Sequence, residues 1–110
     1  MSRISTLCLA ILVLSCSRLP AAGPQLELQT RDRIAIIGNT LAERMQHDGW
    51  LETLLQSYFP THEFSFRNLG FAGDEVKTRP RSASFGSPDQ WLTKVRADVV
   101  LCFFGYNEAL

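Results

Sequence analysis

Three short loops in this sequence combine glycine with polar groups that could contact a bound ligand. They are Gly38-Asn39-Thr40, Gly70-Phe71-Ala72-Gly73 and Gly105-Tyr106-Asn107, and each follows a stretch with the pattern of a strand. If those stretches are parallel strands, the loops meet at the carboxyl edge of the sheet, where open α/β folds bind their ligands. The sequence therefore predicts a functional site built from these three loops.

The three stretches before the loops are expected to form a parallel sheet. Arg33–Ile37 is apolar and β-branched, Glu63–Asn68 alternates, and Val99–Phe104 has the strongest strand pattern in the chain. The links between them are long enough for helical crossovers, which parallel strands require. We therefore expect the order β-α-β-α-β and an α/β fold. Cys102 in the last stretch is expected to be a small core residue rather than a reactive thiol.

The first crossover is expected to contain one helix. Leucines at helical spacing predict that it runs from about Gly49 to Tyr58, with Asp48 as its N-cap. Extending this helix back to Leu41 would place Gly49 in its interior, at a cost of ~1 kcal/mol. We therefore expect a turn, and not a helix, after Thr40.

The second crossover is expected to begin as an irregular segment and to end as a helix. Residues 77–86 are polar, basic and contain proline, which indicates a surface excursion whose three positive charges form a solvated face. Ser87-Pro88-Asp89 is typical of a helix start, because serine caps well, proline suits the first position and an acid suits the first turn. Trp91 and Val95 should supply part of its buried stripe.

Residues 1–22 have the pattern of an export signal. Arg3 precedes a largely apolar run from Ile4 to Leu14, and small residues follow. That run is well short of the ~20 residues needed to cross a bilayer. Residues 23–32 are expected to be a linker, so the domain proper is 33–110. We expect a periplasmic or extracellular protein, attached to a membrane only if Cys16, in a lipobox-like sequence, carries a lipid.

Composition narrows the possible partners and cofactors. The chain has 110 residues, 45% of them hydrophobic and 20% charged, which is typical of a globular domain. Without Arg3 and Arg18 it keeps nine basic and eleven acidic residues, a net charge of −2, which argues against nucleic acid as a partner. The two histidines lack zinc-binding spacing, and no nucleotide-binding glycine motif is present. We therefore expect no metal and no cofactor.

In this order, the loops resemble the sequence blocks of SGNH (GDSL-type) hydrolases, which are three-layer α/β/α esterases and lipases. Ile36–Thr40 stands where the family has Gly-Asp-Ser, Asn68–Asp74 is similar to the block with the oxyanion-hole glycine, and Phe104–Glu108 is similar to Gly-x-Asn-Asp. The resemblance covers residues 33–108 and extends to SGNH-like segments of secreted planctomycete proteins. It implies a flavodoxin-like parallel sheet that is incomplete at the C-terminus.

The resemblance also implies roles for individual residues. Thr40 takes the position of the nucleophilic serine, while the Gly73 N–H and the Asn107 amide take the positions of the oxyanion-hole donors. A threonine hydroxyl can act as a nucleophile when a base activates it, although its methyl group restricts χ1. Two residues depart from the family pattern, since Asn39 and Glu108 each replace an aspartate.

The residue that would activate Thr40 is not evident in this sequence. The family's Asp-x-x-His block is missing from residues 1–110, and neither histidine is expected to replace it. His47 lies seven residues after Thr40, and His62 precedes the second strand, at the opposite edge of the sheet. We expect both to be surface residues. The chain is therefore expected to be part of a hydrolase domain for small-molecule or carbohydrate esters and to be inactive on its own.

Two other interpretations remain open from the sequence. The same loops could form a non-catalytic domain that holds a carbohydrate or acyl ligand, or an unrelated flavodoxin-like module that shares only the architecture. Each site residue also has a structural alternative: Thr40 could be a turn or cap residue, Gly73 a turn with positive φ, and Asn107 a strand-end cap.

Overall fold

A computed structural model describes residues 23–109, so the expected export signal and Cys16 lie outside the described residues. This part of the chain is a mixed α/β structure. Its strands are β1 (Arg33–Gly38), β2 (Ser65–Asn68) and β3 (Val99–Phe103), its helices are α1 (Thr40–Met45), α2 (Trp50–Tyr58), α3 (Ser82–Phe85) and α4 (Pro88–Val95), and a 3₁₀ turn covers Asn107–Ala109.

The three strands form one parallel sheet in the order β2-β1-β3. Ile36 of β1 is level with Asn68 of β2 and Leu101 of β3, so the three strands end at the same edge. Ile34 to Ile37 are all buried, which means that both faces of β1 are covered. The predicted α/β class with parallel strands is confirmed, and β1 is its core.

β3 differs from β1 because it has a strand neighbour on only one side among the described residues. Val100 is 38% exposed, and Cys102, two residues further on the same face, is also exposed. The prediction that Cys102 is a core residue is therefore wrong. Its apolar neighbours suggested burial, but a residue of an edge strand is buried only where another element covers its face.

The first crossover contains two helices where the sequence predicted a turn and one helix. α1 begins directly at Thr40, and Gly49 lies between α1 and α2 with a left-handed φ of 63°. The expected cost of Gly49 inside a helix is avoided because the chain breaks there. Asp48 is not the N-cap, since Gly49 holds that position without a side-chain hydrogen bond.

The second crossover confirms the predicted helix start and corrects the segment before it. Ser87 caps α4 and forms a capping box with Gln90, and Pro88 is the first helical residue. The stripe residues of α4 are only half-buried, however. Residues 77–86, predicted to be irregular, contain the single-turn helix α3.

The amino edge of the sheet is held by contacts between the chain segments that enter the strands. The Arg31 N–H donates to the His62 carbonyl at 2.6 Å, and the Ser65 N–H donates to the Asp32 carbonyl at 3.1 Å. Glu63 has a φ of 51°, which explains why β2 begins two residues later than predicted. Within residues 23–109, no helix has the length and apolar character that a membrane span needs.

Candidate functional site

Hydrogen bonds join the three glycine-containing loops at the carboxyl edge of the sheet. The Thr40 hydroxyl donates to the Ala72 carbonyl oxygen at 3.2 Å. The Asn107 amide contacts the same oxygen at 3.5 Å and the Asp74 carbonyl oxygen at 3.5 Å. The structure therefore brings Thr40, the Gly73 loop and Asn107 together, as expected for loops that follow parallel strands.

Thr40 is positioned by a close approach between β1, α1 and β3. A Cβ atom on Gly38 would lie 2.3 Å from the Phe103 carbonyl oxygen and 2.9 Å from the Ala42 Cβ atom, so only glycine fits without rearrangement. The Asn39 N–H then donates to the Phe103 carbonyl at 3.2 Å. These contacts place Thr40, which is exposed, as the first residue of α1.

The loop after β2 is fastened to α1 by Asn68. Its side-chain Nδ2 donates to the Ala42 carbonyl at 2.7 Å, and its Oδ1 accepts from the Gly70 N–H at 2.8 Å. Gly70 itself is buried against Ala42. This bridging role of Asn68 was not predicted, although an asparagine at a strand end just before Leu-Gly could have indicated it.

Gly73 is exposed, and its φ is not in the positive region. The alternative that it is a turn glycine with positive φ is therefore wrong. A Cβ atom there would meet only the Phe71 and Pro80 side chains, both at 3.8 Å. Among residues 23–109 its N–H has no hydrogen-bond acceptor, so this donor points to no group of the described chain.

Glu108 closes the loop after β3. Its two carboxylate oxygens accept from the Val76 N–H at 2.8 Å and the Gly105 N–H at 2.7 Å. The Val76 N–H is the main cause that lowers the pKa of Glu108, and the Arg79 guanidinium adds to it. The carboxylate therefore holds the Asn107 turn against the loop after β2.

The basic residues after this loop are less solvated than the sequence predicted. Arg79 lies over the Phe104 ring at 4.7 Å, and Arg81 lies over the Phe85 ring at 3.7 Å, so both guanidinium groups are half-buried. Lys77 alone is exposed as expected. Stacking on aromatic rings explains the difference, because a guanidinium is weakly hydrated and its plane matches a ring face.

Two buried polar groups at this edge lack hydrogen-bond partners among the described residues. They are the Nδ2 atom of Asn39 and the Oδ1 atom of Asp74, in side chains that are only 3% and 5% exposed. Asp74 lines a small cavity of about 20 Å³, together with Arg79 and Arg81. That volume suits a single water molecule.

A surface depression of about 240 Å³ lies beside Thr40. Its other lining residues are Glu43, Arg44, His47 and Ala72, so nearly all of its side chains can form hydrogen bonds. His47 is exposed and shares this depression, because positions 40, 43, 44 and 47 follow one another along one face at helical spacing.

His62 does not belong to the site. Its ring lies 5.0 Å from that of Phe59 and 5.4 Å from that of Phe64, between α2 and β2, and it is half-buried. The prediction that both histidines are surface residues is therefore wrong for His62.

The described residues do not supply an activating group to Thr40. Within residues 23–109, neither an imidazole nor a carboxylate forms a hydrogen bond with its hydroxyl, whose proton is directed to Ala72. The same residues contain no cluster of three or more potential metal ligands. The arrangement brings the Thr40 hydroxyl, the Asn107 amide and the loop of Gly73 to one edge of the sheet.

Comparisons of this chain with protein-family models, with curated proteins and with solved structures found no match.

Proposed function

We propose that this chain provides the nucleophile position and the oxyanion hole of an exported SGNH-type ester hydrolase, on a three-layer α/β/α sheet. The observation that carries the proposal is the shared hydrogen-bond acceptor of Thr40 and Asn107. Both side chains contact the Ala72 carbonyl oxygen, although 67 positions separate them in the sequence. Proteins that transfer acyl groups need this juxtaposition of a hydroxyl and preorganised donors.

The donors that would stabilise a tetrahedral oxyanion are the Gly73 N–H and the Asn107 amide. The first has no acceptor within the described chain, and the second is held by contacts of 3.5 Å, at the long limit for a hydrogen bond. The Gly73 N–H can therefore donate directly to a ligand, and the Asn107 amide can do so without breaking a strong hydrogen bond. Removing one such donor typically costs about 3 kcal/mol of transition-state stabilisation.

The described residues do not provide a general base for Thr40. Because the Thr40 hydroxyl donates to a carbonyl oxygen and not to a base, the chain should not turn over esters by itself. We expect the purified chain to hydrolyse p-nitrophenyl acetate no faster than an unrelated protein of equal concentration. Turnover that depends on Thr40 in this chain alone would contradict that part of the proposal.

An added base tests the proposal on the chain as it exists. Imidazole and p-nitrophenyl acetate are added together. The acetyl group moves to the threonine oxygen, p-nitrophenolate leaves and imidazole takes the hydroxyl proton. The acetylated residue is identified by peptide mass spectrometry. We expect acetyl-Thr40 in the wild type and about a hundredfold slower labelling in Asn107→Ala, because the oxyanion loses a donor.

Thr53 is the matched control for this experiment. Its hydroxyl also donates to a backbone carbonyl, that of Gly49 at 2.8 Å, but it lies on α2, away from the three loops. If Thr40 is acetylated no faster than Thr53, or if Asn107→Ala labels like the wild type, the ester-hydrolase proposal fails.

The second candidate is a binding domain that holds a sugar without catalysis. The hydrogen bond from Thr40 to Ala72 and the polar lining of the depression favour it, since Glu43, Arg44 and His47 suit a hydroxyl-rich ring better than an alkyl chain. Thr40→Val separates the two functions. A binder should retain its glycan affinity in Thr40→Val and lose it in Arg44→Ala, whereas the hydrolase loses acetylation in Thr40→Val.

A further inference from the structure

A second depression, at the other end of the sheet, carries positive charge without matching acid. It measures about 480 Å³ and lies between α4 and β2. Its polar lining comes from Arg33, Ser65, Arg67 and Lys94, and none of its lining residues is acidic. This surface, which we call the basic groove, shares no residue with the Thr40 depression.

Two acidic residues next to strands that line the groove are paired with arginines, and Asp32 accepts the Gln29 N–H at 2.7 Å. Asp98 makes two side-chain hydrogen bonds with Arg33, at 2.7 and 2.8 Å, and Glu63 pairs with Arg31 at 3.5 Å. Arg67 and Lys94 have no carboxylate within 4 Å in the described part of the chain. Both are exposed, so their charges are available to a ligand.

The groove also offers groups that recognise hydroxyls and C–H surfaces. Ser65 presents an exposed hydroxyl, and the outer edge of β2 has no strand partner among residues 23–109. Trp91 forms part of the wall, but both faces of its indole are occupied, by the Phe85 ring at 4.3 Å and by the Lys94 ammonium at 4.4 Å. A ligand can therefore contact only the edge of the indole, which argues against a stacked nucleic-acid base.

We propose that the basic groove binds an acidic oligosaccharide, with its carboxylates on Arg67 and Lys94. A guanidinium binds a carboxylate through two parallel hydrogen bonds, and an ammonium adds a point charge. The sugar hydroxyls then meet Ser65 and the open backbone groups of β2. Two free cations suit a short run of uronate residues, whereas a nucleic acid would need a broader basic face.

Tryptophan fluorescence of the full chain tests this proposal, because Trp91 lines the groove. Trp50 is 72% exposed on α2, so Trp50→Phe leaves Trp91 as the reporting indole. In this background we expect an oligogalacturonate to bind about tenfold more tightly than the same oligomer with methyl-esterified carboxyls. The binding should weaken as salt is raised, since exposed ion pairs are screened.

Charge-matched variants assign the binding to the groove. Arg67→Gln/Lys94→Gln should weaken oligogalacturonate binding about tenfold or more, whereas Lys77→Gln/Arg96→Gln, which removes the same charge outside both depressions, should change it less than twofold. All four residues are exposed, and circular dichroism checks that each variant folds.

Three results would overturn the proposal: equal binding of the methyl ester, equal loss in both double variants, or binding of inorganic sulfate as tight as that of the oligomer. None of these measurements depends on Thr40 or Asn107, so the groove and the ester-hydrolase proposal fail or succeed separately.

Discussion

The two ends of the same sheet are built in different ways. At the amino end, three hydrogen bonds of 2.7 to 2.9 Å join Arg33 to the Asp98 carboxylate, two from the guanidinium and one from the backbone N–H. At the carboxyl end, the amide of Asn107 reaches its acceptors only at 3.5 Å. Asn39 and Asp74, which are buried there, each keep a polar atom without a partner among the described residues.

This difference separates a short, fully paired contact from polar groups that are weakly bonded or unpaired. Buried polar atoms are nearly always satisfied in folded proteins, so an exception needs a cause. Four side-chain atoms are such exceptions among the described residues: Asn39 Nδ2 and Asp74 Oδ1 at the edge where the three loops meet, and Glu52 Oε2 and His62 Nδ1 in and after α2. The carboxyl edge is therefore held by close backbone packing and by the side chains of Asn68 and Glu108, while Asn107 makes only long contacts.

We expect the largest loss of stability from a substitution at the point where the loop after β2 packs closely against α1. An alanine at Gly70 would put a Cβ atom 2.6 Å from the Ala42 Cβ atom and 2.7 Å from the Glu43 backbone nitrogen. We expect Gly70→Ala to lower the free energy of unfolding by about 3 kcal/mol, measured by urea denaturation. Gly73→Ala is the control and should change it by less than about 0.5 kcal/mol. Equal losses in both variants would show that the two glycines do not differ as described.

A smaller effect on stability is expected at the start of α4, which has a side-chain cap, unlike the start of α1. Ser87 accepts from the Gln90 N–H and caps α4, whereas Asn39 makes no side-chain cap for α1. Ser87→Ala should lower the free energy of unfolding by about 1 kcal/mol, because a helix N–H loses its acceptor. Ser84→Ala, in the exposed part of α3, provides the control. A Ser87→Ala variant as stable as Ser84→Ala would mean that the capping box contributes nothing.

The pH dependence of stability tests the amino end. Hydrogen bonds from the Arg33 side chain, then from its backbone N–H, lower the pKa of Asp98 from 3.8 to about 2. Because the pKa of the folded state is the lower one, the stabilisation is complete above about pH 4 and is lost as the pH falls toward 2.

Urea midpoints at pH 5, 3 and 2 measure this loss. We expect the urea midpoint to fall less with decreasing pH in Asp98→Asn than in the wild type. Asp48→Asn is the control and should behave like the wild type, because its exposed side chain lies in the first crossover, far along the chain from Asp98. The expected difference is modest, since the pair is partly exposed and screened. Identical declines in the wild type and Asp98→Asn would show that the Arg33–Asp98 pair does not stabilise the amino end.

Some of this architecture follows directly from sequence patterns. A continuous apolar run predicts a strand that is buried on both faces, and β1 fits because it is central. Ser87-Pro88 predicts a helix start because capping is a local interaction between neighbouring residues. The convergence of the three loops also follows from strand order, since parallel strands end at one edge.

Other features depend on contacts between distant residues, which one sequence does not reveal. Cys102 has the surroundings of a core residue, but its burial depends on which strand lies at the edge. Glu108 accepts a hydrogen bond from the Val76 N–H, which is 32 positions away. The arginine stacks on Phe85 and Phe104 likewise join separate elements. Local patterns therefore predict that the three loops meet at one edge, and they miss the contacts that hold the loops there.

The smallest effect on stability is expected at Asn107. Contacts of 3.5 Å from a half-exposed amide contribute little, so Asn107→Ala should change the free energy of unfolding by less than about 0.5 kcal/mol. The same substitution is expected to slow imidazole-assisted acetylation of Thr40 about a hundredfold, because the amide would act only on the oxyanion. A residue that stabilises the packing would show the reverse, a large loss of stability with an unchanged rate of acetylation. If Asn107→Ala instead unfolds the domain and leaves acetylation of its folded fraction unchanged, the Asn107 amide holds the carboxyl end, as the Arg33 guanidinium holds the amino end.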